Sequence, residues 1–353
     1  MKDSIYSYNI EELKNYMAKI GEPPYRAGQI LDWIYKKLVL NPLDMSNLPK
    51  SLREKLYEDF SFDLPEVIET IEEKDTKKFL LRLWDGETIE AVLMYHQNRQ
   101  TLCVSTQVGC AFRCQFCATG LIGFKRNLSC GEIVSQVLLA KLILKSEKKD
   151  LTNVVYMGMG EPLANYDNVM KSIRVIHSSW GLNMGARHIS ISTVGIVPEI
   201  YKLAGEGIPL TLAISLHAPD NQLRNLLVPI NKKYPLEELM PAVWYYAERT
   251  KRRISFEYVL LEDINDTQEM AKKLVELLKG RPAHVNLIPW NPVDEFPWSR
   301  PSLMKIKKFE NYLMDHGINV TLRISKGEEI KAGCGQLRGK YVVRWIRKNE
   351  ETE

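Results

Sequence analysis

The stretch TLCVSTQVGCAFRCQFCATG (residues 101–120) decides how the rest of the chain is read. It opens on an apolar run, TLCVST, of strand length and β-branched content. It then passes directly into Cys110, Cys114 and Cys117, spaced C-x3-C-x2-C. Three thiols this close can converge on one metal centre, and soft sulfur ligands suit zinc or an iron–sulfur cluster. A closed structural site asks for four ligands. The fourth candidate, Cys130, begins a helical pattern in which Ser129 and Glu132 form a capping box, and a small buried helix residue is its plainer reading. Three ligands leave a centre coordinatively open, which fits reactivity better than structure.

From residue 101 onward, strand and helix patterns alternate. The apolar strand runs are TLCVST, NVVYMGMG, HISISTVG, LTLAISLH, ISFEYVLL and HVNLIPW. Six such units argue an α/β fold with a parallel sheet wrapped by helices, and periodicity alone does not separate a partial barrel from an open sheet. In either, functional residues gather at the carboxyl ends of the strands. Before this core, EVIETI, KKFLLRLW and TIEAVLMY, with an Asp85-Gly86 turn, read as a small antiparallel sheet. Residues 1–65 read as helices: IEELKNYMAKI capped by Asn9 with Glu12, AGQILDWIYKKL after Pro23-Pro24, and SLREKLYEDF after Pro49. The domain reading is 1–65 helical, 66–100 a β extension, and 101–348 the core.

At 353 residues, with 45% hydrophobic and 26% charged residues, the chain can bury a large core. No signal-like segment and no apolar run of about 18 residues occurs, so no membrane contact and a cytoplasmic location are the expectation. Six cysteines are too few for a disulfide scaffold, and five of them crowd into residues 103–130. The net charge of +4 is mild, but eight Lys/Arg against two acids lie between Thr321 and Lys348. These are Arg323, Lys326, Lys331, Arg338, Lys340, Arg344, Arg347 and Lys348, with Tyr341 and Trp345 among them. The excess suits a phosphate backbone as well as it suits a solvated tail.

The second core strand ends in Gly158-Met159-Gly160-Glu161-Pro162. Glycines there admit a ligand to the backbone, and a carboxylate can accept from an ammonium group, although such a run by itself is more often a turn. Later strand ends offer Ser192, Ser215-Leu216-His217 and Asn291, small polar groups suited to ribose or carboxylate hydrogen bonds. Each alone reads first as a turn residue, and His217 equally as a satisfied core histidine.

C-x3-C-x2-C with an aromatic before the last cysteine resembles the signature of radical S-adenosylmethionine (SAM) enzymes. The resemblance implies a [4Fe–4S] cluster on Cys110, Cys114 and Cys117, and a SAM pocket at Gly160, Glu161, Ser192, Ser215, Leu216, His217 and Asn291. The blocks TLCVSTQVGC, FCATG, GFKRNL, VVYMGMGEPLANYDNV, ISISTVGIVP, LAISLHAP, HVNLIPWNP and AGCGQLRG closely resemble the dual-specificity RNA methyltransferases, from about residue 10 to 345. That family methylates C2 of adenine-2503 in 23S rRNA and of adenine-37 in tRNA. The likeness implies a partial (β/α)6 radical SAM barrel, an N-terminal helical RNA-binding domain, an external electron donor such as flavodoxin, and a monomer.

C2 of adenine has no lone pair with which to attack a methyl group, so another nucleophile must take the methyl first. A thiolate is suited to this, and Cys334 lies in Ala332-Gly333-Cys334-Gly335-Gln336, flanked by glycines. The resemblance makes Cys334 the methyl carrier and implies two SAM per turnover, the second giving a radical that activates the S-methyl group for addition to C2. It makes Glu90 the base that takes the C2 proton. It makes Cys103 the thiol that frees the product by a transient disulfide with Cys334. Read without it, Cys103 is a buried core thiol and Glu90 a solvent-facing strand residue. Two rivals stand beside this reading. One is the sister enzyme methylating C8, which Pro162 and Val108 argue against, since that group has alanine and cysteine there. The other is a zinc-stabilised RNA-binding module, which leaves Glu161 and Cys334 unexplained.

Overall fold

The computed structural model describes residues 2–323 and 330–337. The basic residues Lys326, Arg338, Lys340, Arg344, Arg347 and Lys348, with Tyr341 and Trp345, therefore lie outside the described residues.

The chain starts with a short strand, β1 (Asp3–Ser4), then α1 (Ile10–Lys19), α2 (Arg26–Leu31) and α3 (Lys50–Asp59), closing on β2 (Phe60–Ser61), which pairs in parallel with β1. The capping box expected for α1 forms: the Glu12 N–H donates to Asn9 Oδ1 at 2.9 Å, and the Asn9 N–H to Glu12 Oε2 at 2.7 Å. The second helical pattern is not one α-helix. After Leu31 it widens into a π-helical turn over Asp32–Lys37 and stops at Leu38, which has φ +57°.

Four antiparallel strands follow: β3 (Glu66–Glu73), β4 (Thr76–Arg82), β5 (Thr88–His96) and β6 (Arg99–Cys103). The antiparallel sheet expected over β3–β5 forms, as a continuation of the core sheet. β6 pairs antiparallel with β5 on one side and parallel with β9 (Asn153–Tyr156) on the other, so one ten-stranded sheet runs through both regions. The short strands β7 (Gln107–Gly109) and β8 (Phe124–Asn127) form a ribbon that brackets the cysteine loop and α4 (Ala118–Ile122), and α5 (Cys130–Ser146) follows.

The remaining units alternate: α6 (Tyr166–His177), β10 (Ile189–Thr193), α7 (Val197–Ala204), β11 (Thr211–Ser215), α8 (Asn221–Leu227), α9 (Leu236–Thr250), β12 (Ile254–Leu260), α10 (Gln268–Leu278), β13 (Ala283–Pro289), α11 (Leu303–Asp315) and β14 (Asn319–Leu322). All six expected strands form, and β14 adds a seventh parallel one, which has no apolar run to mark it because its Asn319 and Thr321 are polar and exposed. The strand order β6-β9-β10-β11-β12-β13-β14 is linear, an open partial barrel.

One core fills the space between this sheet and its helices, with Val137, Ile173, Ile200, Val243, Leu274 and Phe309 fully or nearly fully buried. A second core joins Leu13, Met17, Ile30, Ile34 and Leu56 of the N-terminal helices to Val134 and Leu138 of α5. Cys130 sits in that second core and donates to the Tyr6 carbonyl, as its plain reading expected. Among the described residues no helix is long and apolar enough to cross a membrane.

Candidate active site

Register puts the candidate residues on one face of the sheet. Side chains on paired strands share a face when their Cα atoms are partners, and alternate residues along a strand return to it. Lys78 pairs with Val92 and Val92 with Cys103, and Glu90 lies two residues before Val92. Cys103 pairs with Val155, and Val155 with Ser190, two residues before Ser192. Ser192 pairs with Ala213, two before Ser215; Ser215 pairs with Glu257, and Glu257 with Asn286. Lys78, Glu90, Cys103, Ser192, Ser215, Glu257 and Asn286 thus line one concave face. The Ser192 and Ser215 hydroxyls stand 3.4 Å apart on it.

At the carboxyl ends of the strands this face opens into a pocket of about 990 Å3, mouth included, a size that suits a cofactor. Cys110, Cys114, Cys117, Cys334, Glu161 and Asn291 all reach its wall. The cysteine loop is held by its backbone. The Cys110 N–H donates to the Gly123 carbonyl at 3.0 Å, the Gln115 N–H to Leu227 at the end of α8, and the Ala118 N–H to Gly335 in the Cys334 loop. Arg113 takes φ +51° to turn the chain between the first two thiols. Burial pushes Cys110 up to about 12 and Cys114 well above the usual thiol range, so these thiols stay protonated unless a cation takes the proton's place.

Gly160 has φ +99°, and a Cβ there would lie 2.6 Å from Gln107 Cβ, so only glycine fits. Glu161 behind it is buried, its carboxylate accepting from the Leu163 N–H at 3.0 Å and the Val194 N–H at 2.9 Å. Burial raises it to about 7, and the Val194, Thr193 and Leu163 hydrogen bonds pull it back. Three of the carboxylate's four lone-pair sites are thus taken, which leaves one for a further donor. His217, at φ +59°, accepts from the Val259 N–H at its Nδ1, which leaves the proton on Nε2; burial lowers it to about 3, so the ring is neutral. Asn291 donates from Nδ2 to the Cys334 carbonyl, while its buried Oδ1 has no partner among the described residues. Leu216 differs from its neighbours. Its side chain is in the core, away from the pocket wall, and its carbonyl accepts from Arg224 Nε.

Cys103 is buried and its thiol is pushed up to about 12, first by burial and then by Cys334, whose charge it feels; Arg323 opposes both. Both cysteines are free thiols, and no disulfide joins them. Glu90 does not face solvent: it is 2% exposed, with Lys78 Nζ 3.5 Å from its Oε1.

Several residues here escaped the sequence. Arg224, fully buried, donates to the carbonyls of Val194, Ser215 and Leu216 and so fixes the ends of β10 and β11. Glu257 accepts from Asn286 and from Arg323. A lone charge in an apolar strand, Glu257 in ISFEYVLL, was the only signal here; Lys78 stands with Lys77 and Arg82 in KKFLLRLW and is not singled out. Conversely, Lys125 pairs with Glu87, Arg126 with Asp85 and Glu132, and Lys331 with Asp294, so these cations already have partners.

A parallel partial barrel with three cysteines in the loop after its first strand defines a radical SAM enzyme, and the family model for the radical SAM superfamily matches residues 104–277. The model for the ribosomal RNA large subunit methyltransferase N-terminal domain matches residues 4–61. The chain is 58% identical over 340 residues to the dual-specificity RNA methyltransferase RlmN of Dictyoglomus turgidum, covering 96% of this chain and 98% of that one. It is 49% identical over 338 residues to the RlmN of Geobacillus kaustophilus, covering 96% and 93%. Among solved structures, a radical SAM methyltransferase from Sphaerobacter thermophilus superposes with a TM-score of 0.93 at 44% identity, covering 96% and 99%. The chain belongs to the RlmN family of dual-specificity RNA methyltransferases, which are radical SAM enzymes.

Proposed function

We propose that the chain methylates C2 of an adenine in 23S rRNA and in tRNA, with Cys334 carrying the methyl group and Cys103 and Glu90 releasing the product. The observation that carries this reading is a second set of reactive side chains beside the cysteine pocket. Glu90 and Cys103 share a face of the sheet, Lys78 on that face donates to the Lys331 carbonyl in the loop of Cys334, and Cys334 lines the same pocket as Cys110, Cys114 and Cys117. A SAM pocket alone would need none of Glu90, Cys103 and Cys334.

Cys110, Cys114 and Cys117 would hold a [4Fe–4S] cluster. Their three soft thiols line one pocket wall in the loop that follows β6. A zinc ion, with Zn–S bonds of about 2.3 Å, draws its sulfurs to roughly 4 Å apart, whereas a cluster offers each thiolate its own iron. Glu161, Ser192, Ser215, His217 and the orphaned Asn291 Oδ1 supply the polar groups for SAM, with Leu216 acting through its backbone. Cluster and SAM, when bound, supply the methyl group and the radical that activates it. The protein's own steps are three. The Cys334 thiolate takes a methyl group and presents it to C2. Glu90 accepts the C2 proton. The Cys103 thiol gives up its proton and attacks Cys334 Sγ; the carbon–sulfur bond pair stays with the methylene carbon, which takes a proton to become the new methyl group, and the two sulfurs close a disulfide.

Residues 1–65 are the RNA-binding domain in this reading, 66–100 the arm that carries Glu90, and 101–348 the catalytic core. The enzyme works as a cytoplasmic monomer with an external electron donor such as flavodoxin. Anaerobic incubation with SAM, a reductant and rRNA fragments, followed by nucleoside mass analysis, tests it. 2-Methyladenine is expected, and 8-methyladenine would assign the chain to the C8 chemistry instead.

A further inference from the structure

Among the described residues Lys78 is the only lysine in the buried interior, at 3% exposure. An ammonium group withdrawn from water is costly unless it is paired, and this one meets partners on different parts of the fold. Its Nζ lies 3.5 Å from Glu90 Oε1, and it donates to the Lys331 carbonyl at 3.2 Å. The first partner is the carboxylate on β5. The second belongs to the loop that reaches Cys334 three residues later. β4 thus spans 253 residues of sequence to meet that loop.

A buried ion pair adds little to stability compared with a well-packed apolar pair. A carboxylate that must accept a proton in a dry pocket does need a cation beside it, because burial favours its neutral form. Among the described residues, the other charged or titratable groups on this face include Cys103 from β6, Cys334 from the loop, and the Arg323–Glu257 pair. The guanidinium of that pair is engaged by Glu257, and among the described residues Lys78 is a cation placed directly on Glu90, 3.5 Å from its Oε1.

We infer that Lys78 is a positioning residue for product release: its ammonium keeps the Glu90 carboxylate charged and aimed, and its bond to Lys331 ties that base to the seat of the Cys334 loop. The inference rests on the reading of Glu90 as the base. Lys78 itself touches no reacting atom. Base and carrier are thereby assembled by one side chain, and the carboxylate is charged when the loop that brings the adduct is docked.

The test follows decay of the covalent RNA–protein adduct against pH in wild type, Lys78→Gln and Lys78→Arg, with Cys103→Ala as control. Glutamine can still donate to the Lys331 carbonyl but has no charge, so Glu90 then ionises only at higher pH. Each unit of that shift lowers the charged fraction about tenfold below it. The ratio of the Lys78→Gln decay rate to the wild-type rate should therefore be small at neutral pH and climb towards one as pH rises. Titration of Cys103 affects both proteins and cancels in the ratio. Recovery at high pH also excludes misfolding as the cause. Lys78→Arg should follow wild type, and the Cys103→Ala adduct should persist at every pH. A Lys78→Gln rate equal to wild type at neutral pH overturns the inference, as does a slow rate that ignores pH, which would leave Lys78 as a tether of the loop alone. Absence of any adduct in Cys103→Ala would instead defeat the covalent mechanism itself, and this inference with it.

Discussion

Asn291 at the end of β13 donates from Nδ2 to the Cys334 carbonyl at 3.3 Å, so a pocket residue fixes the backbone of the proposed methyl carrier. The loop pays for this closeness in side-chain space: a Cβ on Gly333 would lie 2.5 Å from Asn291 Nδ2. Gly333→Ala must push Asn291 aside or shift Cys334. We expect a loss of about 1–3 kcal/mol in denaturant unfolding and slowed S-methylation of Cys334 by intact mass, as overpacking of a close contact predicts. Wild-type methylation of Cys334 in this variant would show that the loop does not need its present seat.

Cys334→Ala leaves the three clustered thiols and Glu161 untouched. Anaerobically purified, it should carry about four iron atoms per chain and bind SAM, yet transfer no methyl to RNA. Any RNA methylation at the wild-type rate refutes the carrier role. About one zinc and no iron in the wild-type protein would point to a binding module without catalysis.

Cys103→Ala should stop after the carrier has joined the RNA. Denaturing gels should then contain a slow-migrating protein band that nuclease collapses, and methylated RNA should fall to a small fraction of wild type. Normal product release without this thiol would remove the disulfide step.

SAM affinity should depend on pH through Glu161. The carboxyl is raised to about 7 by burial, so it is neutral below that pH and charged above it. An ammonium ligand requires the charged form, so the sign is a weakening as pH falls. Between about pH 8 and about pH 6 the dissociation constant should rise roughly tenfold. His217 adds no limb of its own there, since burial keeps it neutral down to about 3. An affinity independent of pH over that range would mean that Glu161 does not meet the ammonium.

Features encoded within a few residues were legible in the sequence. The cysteine spacing, the Ser129–Glu132 and Asn9–Glu12 capping boxes, the six long apolar strands and the glycines before Glu161 are of this kind. The strand β14 and the π-helical turn after Leu31 were not, because β14 has no apolar run, its Asn319 and Thr321 being polar and exposed, and the turn is too short to impose its own period.

By itself, then, the sequence determined the class of chemistry: three thiols in one turn, a carboxylate after a glycine turn, and a lone glycine-flanked cysteine near the end. Tertiary structure alone decided which other residues join them. Glu90 reads as an outward strand residue until β5 pairs with β4 and β6 and turns that face inward. Lys78 and Arg224 carry no local mark of their roles, and Glu257 only its charge in an apolar run. The physical reason is that a strand's alternation yields two faces but not which one is buried. Register between strands far apart in sequence makes that choice, and here it brings Lys78 to the carbonyl of Lys331.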